Sequence, residues 1–209
     1  MPAPPFVRRF RISRIVCGFV VFGWLIAVAG GMVLLERYAH RPGELGAGVE
    51  LWPQGSDLPP PAGDRWTLVV ALHPECPCSR ATVEELNQLL AQRPGALDIY
   101  ALFVADQAEA MTSDLWEALG RMPAVHVAAD PRGVEARRFG FRTSGEVRLY
   151  AADRGLRFHG GITISRGHIG ANPGSAAIRA ALDSPHRALV QTPVFGCALF
   201  DSEEAAVPR

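Results

Sequence analysis

The sequence predicts an α/β protein: a central mixed sheet flanked by helices, with one N-terminal transmembrane helix ahead of it. Three observations predict this. Ile15 to Leu35 is a 21-residue stretch without a charge. Beyond it, short apolar runs alternate with segments of helical periodicity, the pattern of a sheet covered by helices. The first of those runs ends in two cysteines one residue apart, at the start of a helix.

The uncharged stretch would reach about 32 Å as a helix, enough for the hydrocarbon core of a bilayer. Arg8, Arg9, Arg11 and Arg14 precede it, and residues 1–14 hold no acid. The positive-inside rule then places the N-terminus in the cytoplasm and the rest across the membrane. Ala27-Val28-Ala29 has the form of a signal-peptidase site, so a cleaved signal is the competing reading. The stretch stays apolar to Leu35, where a mature polar N-terminus should have begun, and this favours an uncleaved anchor. Cys17 lies inside it as a small apolar filler, and Gly23, Ala27 and Gly31 follow a small-residue spacing common in membrane helices.

Residues 36–63 carry Gly43, Gly46, Gly48, Gly55 and the run Pro59-Pro60-Pro61, and read as a linker. Residues 64–184 form the domain. Trp66 to Leu72 is a continuous apolar run, expected of a strand covered on both faces. A helix with Val83, Leu86, Leu89 and Leu90 on one side follows and stops at Pro94-Gly95. Then come a strand over 98–104, a helix over 108–119, a strand over 124–129 and a short helix over 134–139. A hairpin over 146–151 and 156–160, turning at Asp153-Arg154-Gly155, and a helix over 175–182 complete the domain. Residues 185–209 are a C-terminal extension carrying Cys197.

Composition limits the chemistry. The 21 basic and 21 acidic residues balance, but four of the basic ones precede the membrane stretch, leaving 17 against 21 and a net charge of −4 beyond it. Nucleic acid is therefore not an expected partner. Every basic residue is arginine, which excludes lysine Schiff bases and phosphate loops ending in Gly-Lys.

The segment His73-Pro74-Glu75-Cys76-Pro77-Cys78-Ser79-Arg80 carries the chemistry. Proline is favoured at the first helical position, so Pro77 makes Cys76 the cap residue and puts Cys78 in the first turn. Unpaired backbone N–H groups and the helix dipole there stabilise a thiolate. A structural disulfide between Cys76 and Cys78 would strain its geometry and close almost no loop. Cys197 is the third cysteine beyond the membrane stretch. It is either an adventitious thiol or a resolving cysteine that folds back to Cys76 or Cys78.

The order of elements around this cysteine pair resembles the thioredoxin fold. The anchored form is similar to the TlpA/ResA-type thiol-disulfide proteins and their peroxiredoxin relatives. HPECPCSRAT, GGITISRGHIGANPG and TPVFGC most resemble the RedB group of bacterial thioredoxin-like proteins. The resemblance implies a bacterial inner-membrane location, single-pass, with the domain on the periplasmic side. Two departures stand out. The thioredoxin pattern is Cys-x-x-Cys, whereas here it is Cys-x-Cys, with Cys78 matching the second cysteine. Thr143-Ser144-Gly145 occupies the region where thioredoxins carry a cis-proline that positions a substrate backbone and keeps metals from the thiols.

If the fold holds, the loop over 162–172 lies beside the cysteines, so Arg166 and His168 are candidates to stabilise a thiolate or transfer a proton. Asp106 is a weaker candidate base, and Glu75 an exposed loop acid. His40, His126, His159 and His186 belong to no constellation. The expected function is a membrane-tethered thiol-disulfide oxidoreductase acting on exported protein thiols or disulfides. It would exchange electrons with a membrane donor or acceptor and require no cofactor. In that scheme Cys76 attacks and Cys78 or Cys197 resolves. The alternative is a Cu(I) metallochaperone, with the Cys76 and Cys78 thiolates and one of His73, His168 or Cys197 as its donors. A thiol peroxidase is a third reading, disfavoured because His73 stands where that chemistry expects a threonine.

Overall fold

The computed structural model describes residues 5–184 and 188–200, with side chains from Arg14 onward. The side chains of Arg8, Arg9 and Arg11, residue His186 and the extension beyond 200 lie outside the described residues. The chain divides into two compact units, Met1–Ala39 and His40–Arg209.

The first unit is a single helix, α1 (Pro5–Ala39). Its segment Arg14–Ala39, of mean hydropathy 2.3, is long and apolar enough to cross a membrane. The helix runs past Leu35 into the stretch expected to begin the linker.

The second unit is built on a six-stranded sheet in the order β3-β2-β1-β4-β5-β6. Its strands are β1 (Trp66–Leu72), β2 (Leu97–Phe103), β3 (Val125–Ala129), β4 (Glu146–Tyr150), β5 (Leu156–Gly161) and β6 (Val190–Gln191). β1 and β3 each run parallel to β2; β4 is antiparallel to both β1 and β5. β6, which the apolar patterning did not reveal, adds a short parallel pairing to β5. Every residue of β1 is buried, as its unbroken apolar run requires of a central strand covered on both faces. Leu68, Val70 and Leu72 face one core with Val83, Leu86 and Leu89. Val69 and Ala71 face the other, with Trp52, Phe139, Phe141 and Tyr150. This is the central mixed sheet flanked by helices that the sequence predicts.

The helices are α2 (Pro77–Gln92), α3 (Gln107–Thr112), α4 (Asp114–Gly120), α5 (Val134–Arg138) and α6 (Pro173–Asp183). The single helix expected over 108–119 is two. Ser113 ends α3 and caps α4, its Oγ accepting the Leu115 N–H at 3.3 Å. A hydroxyl that competes for backbone donors breaks a helix where apolar spacing alone would continue it.

The larger difference concerns the expected linker. Residues 40–58 are fastened to the domain rather than free. Gly43 N donates to Val194 O, Gly46 N to Glu146 Oε1, and Leu156 N to Glu50 O. Trp52 is buried against Phe139 and Tyr150. The cause is a buried ion pair on β4. Glu146 and Arg148 are both fully enclosed, with Arg148 Nη1 2.7 Å from Glu146 Oε1. Arg148 also donates to the carbonyls of Ala47, Phe139 and Gly140. Glu146 accepts from the N–H groups of Gly46, Arg142 and Thr143. The close approach needs a residue without a side chain, since a Cβ on Gly46 would lie 1.7 Å from Gly140 O.

Removing one partner of such a pair leaves a bare charge in the interior, costing about 3–5 kcal/mol. Arg148→Ala should lower the unfolding free energy by that amount in urea denaturation of the full chain in detergent. Arg148→Met with Glu146→Leu should recover only part of it, because the three carbonyls remain without donors.

Candidate active site: three thiols at the start of a helix

The site forms where β1 delivers the chain to α2. Cys76 is the cap residue in an extended conformation (φ −85°, ψ 120°), and Pro77 opens the helix. A hydroxyl node holds this junction in place. The His73 N–H donates to Ser79 Oγ at 3.1 Å and Ser144 Oγ at 3.0 Å, and the two hydroxyls are 2.7 Å apart. The end of β1, the first turn of α2 and the loop ahead of β4 are thereby joined at one point. Neither serine carried a signal of its own in the sequence.

Cys197 comes to this junction from the other end of the chain. After β6 the backbone continues along the sheet edge, with Gly161 N donating to Pro193 O. It then lies antiparallel along the loop ahead of β4: Ser144 N donates to Cys197 O at 2.8 Å, Thr143 bridges to Ala198, and Leu199 N donates to Arg142 O at 2.9 Å. Val194, Leu199 and Phe200 are buried, so this strap is packed down on both sides of the cysteine. Gly196 permits the contact, since a Cβ there would stand 1.9 Å from Ser144 O.

The strap brings the Cys76 and Cys197 sulfurs to 3.5 Å, within hydrogen-bonding reach. Cys76 and Cys78 are 5 % and 4 % exposed, whereas Cys197 is open to solvent. Cys76 is pulled down to about 4, chiefly by a hydrogen bond from the Cys78 thiol. Burial opposes this, and the N–H groups of Ser79 and Cys197 and the Cys197 thiol reinforce it. Cys78 is pushed far up, first because its proton is held by the Cys76 sulfur and then by burial. Cys197 is raised too, by burial and then by its own contact with Cys76. One sulfur of the three therefore carries the charge, and the other two keep their protons to stabilise it.

Arg166 reaches the site, as expected of its loop. Its guanidinium donates to the Gly196 carbonyl on the strap and to the Arg41 carbonyl, and its charge favours the thiolate forms of Cys78 and Cys197. The loop is held from below by Glu85, which accepts from Gly170 N, Asn172 Nδ2 and Ser175 Oγ. His168 was expected beside the thiols, but its Nδ1 lies 2.8 Å from the Arg166 carbonyl on the exposed side of its own turn. No described contact joins it to a cysteine. His73 Nδ1 accepts the Glu75 N–H within its own loop, and no described contact joins its ring to a cysteine. The donor set Cys76, Cys78 and His73 does not assemble, and among the described residues no three His, Cys, Asp or Glu side chains are placed to hold a metal. Asp106 is the cap residue of α3, with no described contact to the thiols.

No family model matches the chain, and no curated protein matches it. Solved structures resemble it in fold. A hypothetical protein from Sinorhizobium meliloti 1021 matches with a TM-score of 0.58 and 20% identity, over 75% of this chain and 97% of that one. An uncharacterized conserved protein from Geobacillus kaustophilus matches with a TM-score of 0.54 and 18% identity, over 77% and 92%. StoA from Bacillus subtilis gives a TM-score of 0.43 and 12% identity, over 66% and 98%.

Two outcomes follow from the geometry. The thiolate absorbance of the reduced chain should titrate near pH 4 through one sulfur and disappear in Cys76→Ser. Gly196→Val should displace the strap and slow diamide-driven formation of the Cys76–Cys197 disulfide by roughly ten- to a hundredfold, as read by mass mapping.

Proposed function

We propose that the chain is a membrane-tethered thiol-disulfide oxidoreductase acting on exported protein thiols or disulfides. The observation that carries this is the Cys76 thiolate, held at a helix start between two protonated thiols, one of them 3.5 Å away. Such a sulfur is both a nucleophile and a good leaving group in disulfide exchange. The helix Arg14–Ala39 suits an uncleaved inner-membrane anchor, with residues 1–14 cytoplasmic and the domain periplasmic. A membrane-borne donor or acceptor would then renew the redox state of the pair. The RedB-like motifs agree with this reading, because two of them, HPECPCSRAT and TPVFGC, contribute the three sulfurs.

Cys76 is the thiolate in this scheme, and Cys78 and Cys197 are its candidate disulfide partners. A Cu(I) carrier built on Cys76, Cys78 and His73 is disfavoured, since among the described residues those donors form no group placed to hold a metal. Redox titration of the full chain in detergent against glutathione or dithiothreitol buffers, followed by mass mapping, tests the proposal. A two-electron couple should appear in the native chain and vanish in Cys76→Ser. A couple that survives Cys76→Ser, or is absent from the native chain, overturns it.

A further inference from the structure

We infer that Cys197, and not Cys76, is the sulfur that forms the mixed disulfide with the protein partner, and that Cys76 works behind it as the internal thiolate. This rests on the oxidoreductase reading and assigns the contact point within it.

Three observations converge. First, access: Cys76 and Cys78 are almost completely enclosed, whereas Cys197 is exposed. A folded or extended polypeptide can meet only the outermost sulfur. Second, the edge is taken. Arg142, Thr143 and Ser144 offer the backbone groups with which an extended partner could pair, but the strap's own Cys197, Ala198 and Leu199 already occupy them. The chain performs on itself the strand addition that a peptide ligand would otherwise make. Burial of Val194, Leu199 and Phe200 anchors that arrangement. Third, pairing within the motif is poor. Residues two apart at a helix start do not face each other as residues three apart do, and a bridge between Cys76 and Cys78 would be strained. Cys197 needs no such strain to reach Cys76.

In the oxidised state Cys76 and Cys197 share the disulfide. A partner thiol loses its proton to solvent, and its thiolate attacks the exposed Cys197 Sγ. The Cys76–Cys197 bond breaks and its electron pair leaves on Cys76, the sulfur best able to hold it. The partner's second thiolate then attacks the partner sulfur of the mixed disulfide and releases Cys197, which takes a proton from solvent. The partner dithiol has become a disulfide, and the internal disulfide a thiolate and a thiol. Running in reverse, with a partner disulfide being reduced, the sequence passes through the same mixed disulfide on Cys197.

Oxidised glutathione serves as the probe, with the full chain in detergent and Cys78→Ser in every variant. Adding Cys76→Ser should leave a persistent glutathione adduct on Cys197. Adding Cys197→Ser instead should form the adduct on Cys76 at least about tenfold more slowly, because the strap still covers it. In the native chain, acid quenching during turnover should map the transient adduct to Cys197. Comparable rates at the two sulfurs, or a transient adduct on Cys76, overturn the assignment while the redox couple stands. Absence of both the adducts and the couple overturns the oxidoreductase reading as well.

Discussion

A full positive charge buried at the centre of a sheet must be surrounded by acceptors, and that requirement organises this domain. Arg148 on β4 has no solvent to turn to. Glu146 neutralises it, but the remaining donors need oxygen, and they take it from carbonyls at 47, 139 and 140. Glu146 in turn needs N–H groups, and finds them at 46, 142 and 143. Satisfying one ion pair therefore draws together two stretches about a hundred residues apart. One is the segment that follows α1; the other is the loop against which the Cys197 strap lies. The pair's value is this positioning, since an apolar pair of similar size is often as stable.

The loop so placed decides the chemistry of the thiols. Burial alone would raise all three sulfurs and leave them inert. The Cys78 thiol first, then the N–H groups of Ser79 and Cys197 and the Cys197 thiol, outweigh that penalty for Cys76 alone. Once Cys76 is charged, its charge pushes the others up, so ionisation at one site suppresses it at the next. Stabilising the thiolate also stabilises the reduced state, which makes a disulfide formed through Cys76 the more oxidising.

Much of the fold could be read from the chain because its signals are local. The buried run Trp66–Leu72, the proline at the first turn of α2 and the apolar stripe of that helix each declare themselves within a few residues. The cysteine pair at the junction was legible for the same reason. What local sequence does not declare is relational. Arg148 and Glu146 look like the polar face of a hairpin strand, and only the packing of residues 40–58 makes them interior. Ser79, Ser144, Glu85 and Gly196 are common residues whose importance comes from partners 65 to 90 positions away or from a close backbone approach. His73 and His168 illustrate the converse: closeness in sequence to the cysteines suggested participation, yet each ring is used by its own loop.

The strap depends on a backbone N–H of the loop ahead of β4, donated by Ser144 to the Cys197 carbonyl. A proline at position 144 would have no N–H, and the hydrogen bond from Ser144 N to Cys197 O could not exist. Without that bond the strap loses its pairing at the residue that matters, and Cys197 its place beside Cys76. A loop that keeps its N–H can hold a cysteine-bearing segment of its own chain. A helix start whose two cysteines are a single residue apart needs a sulfur from elsewhere to close an unstrained disulfide. The loop that keeps this N–H and the strap paired to it together hold the Cys197 sulfur 3.5 Å from that of Cys76.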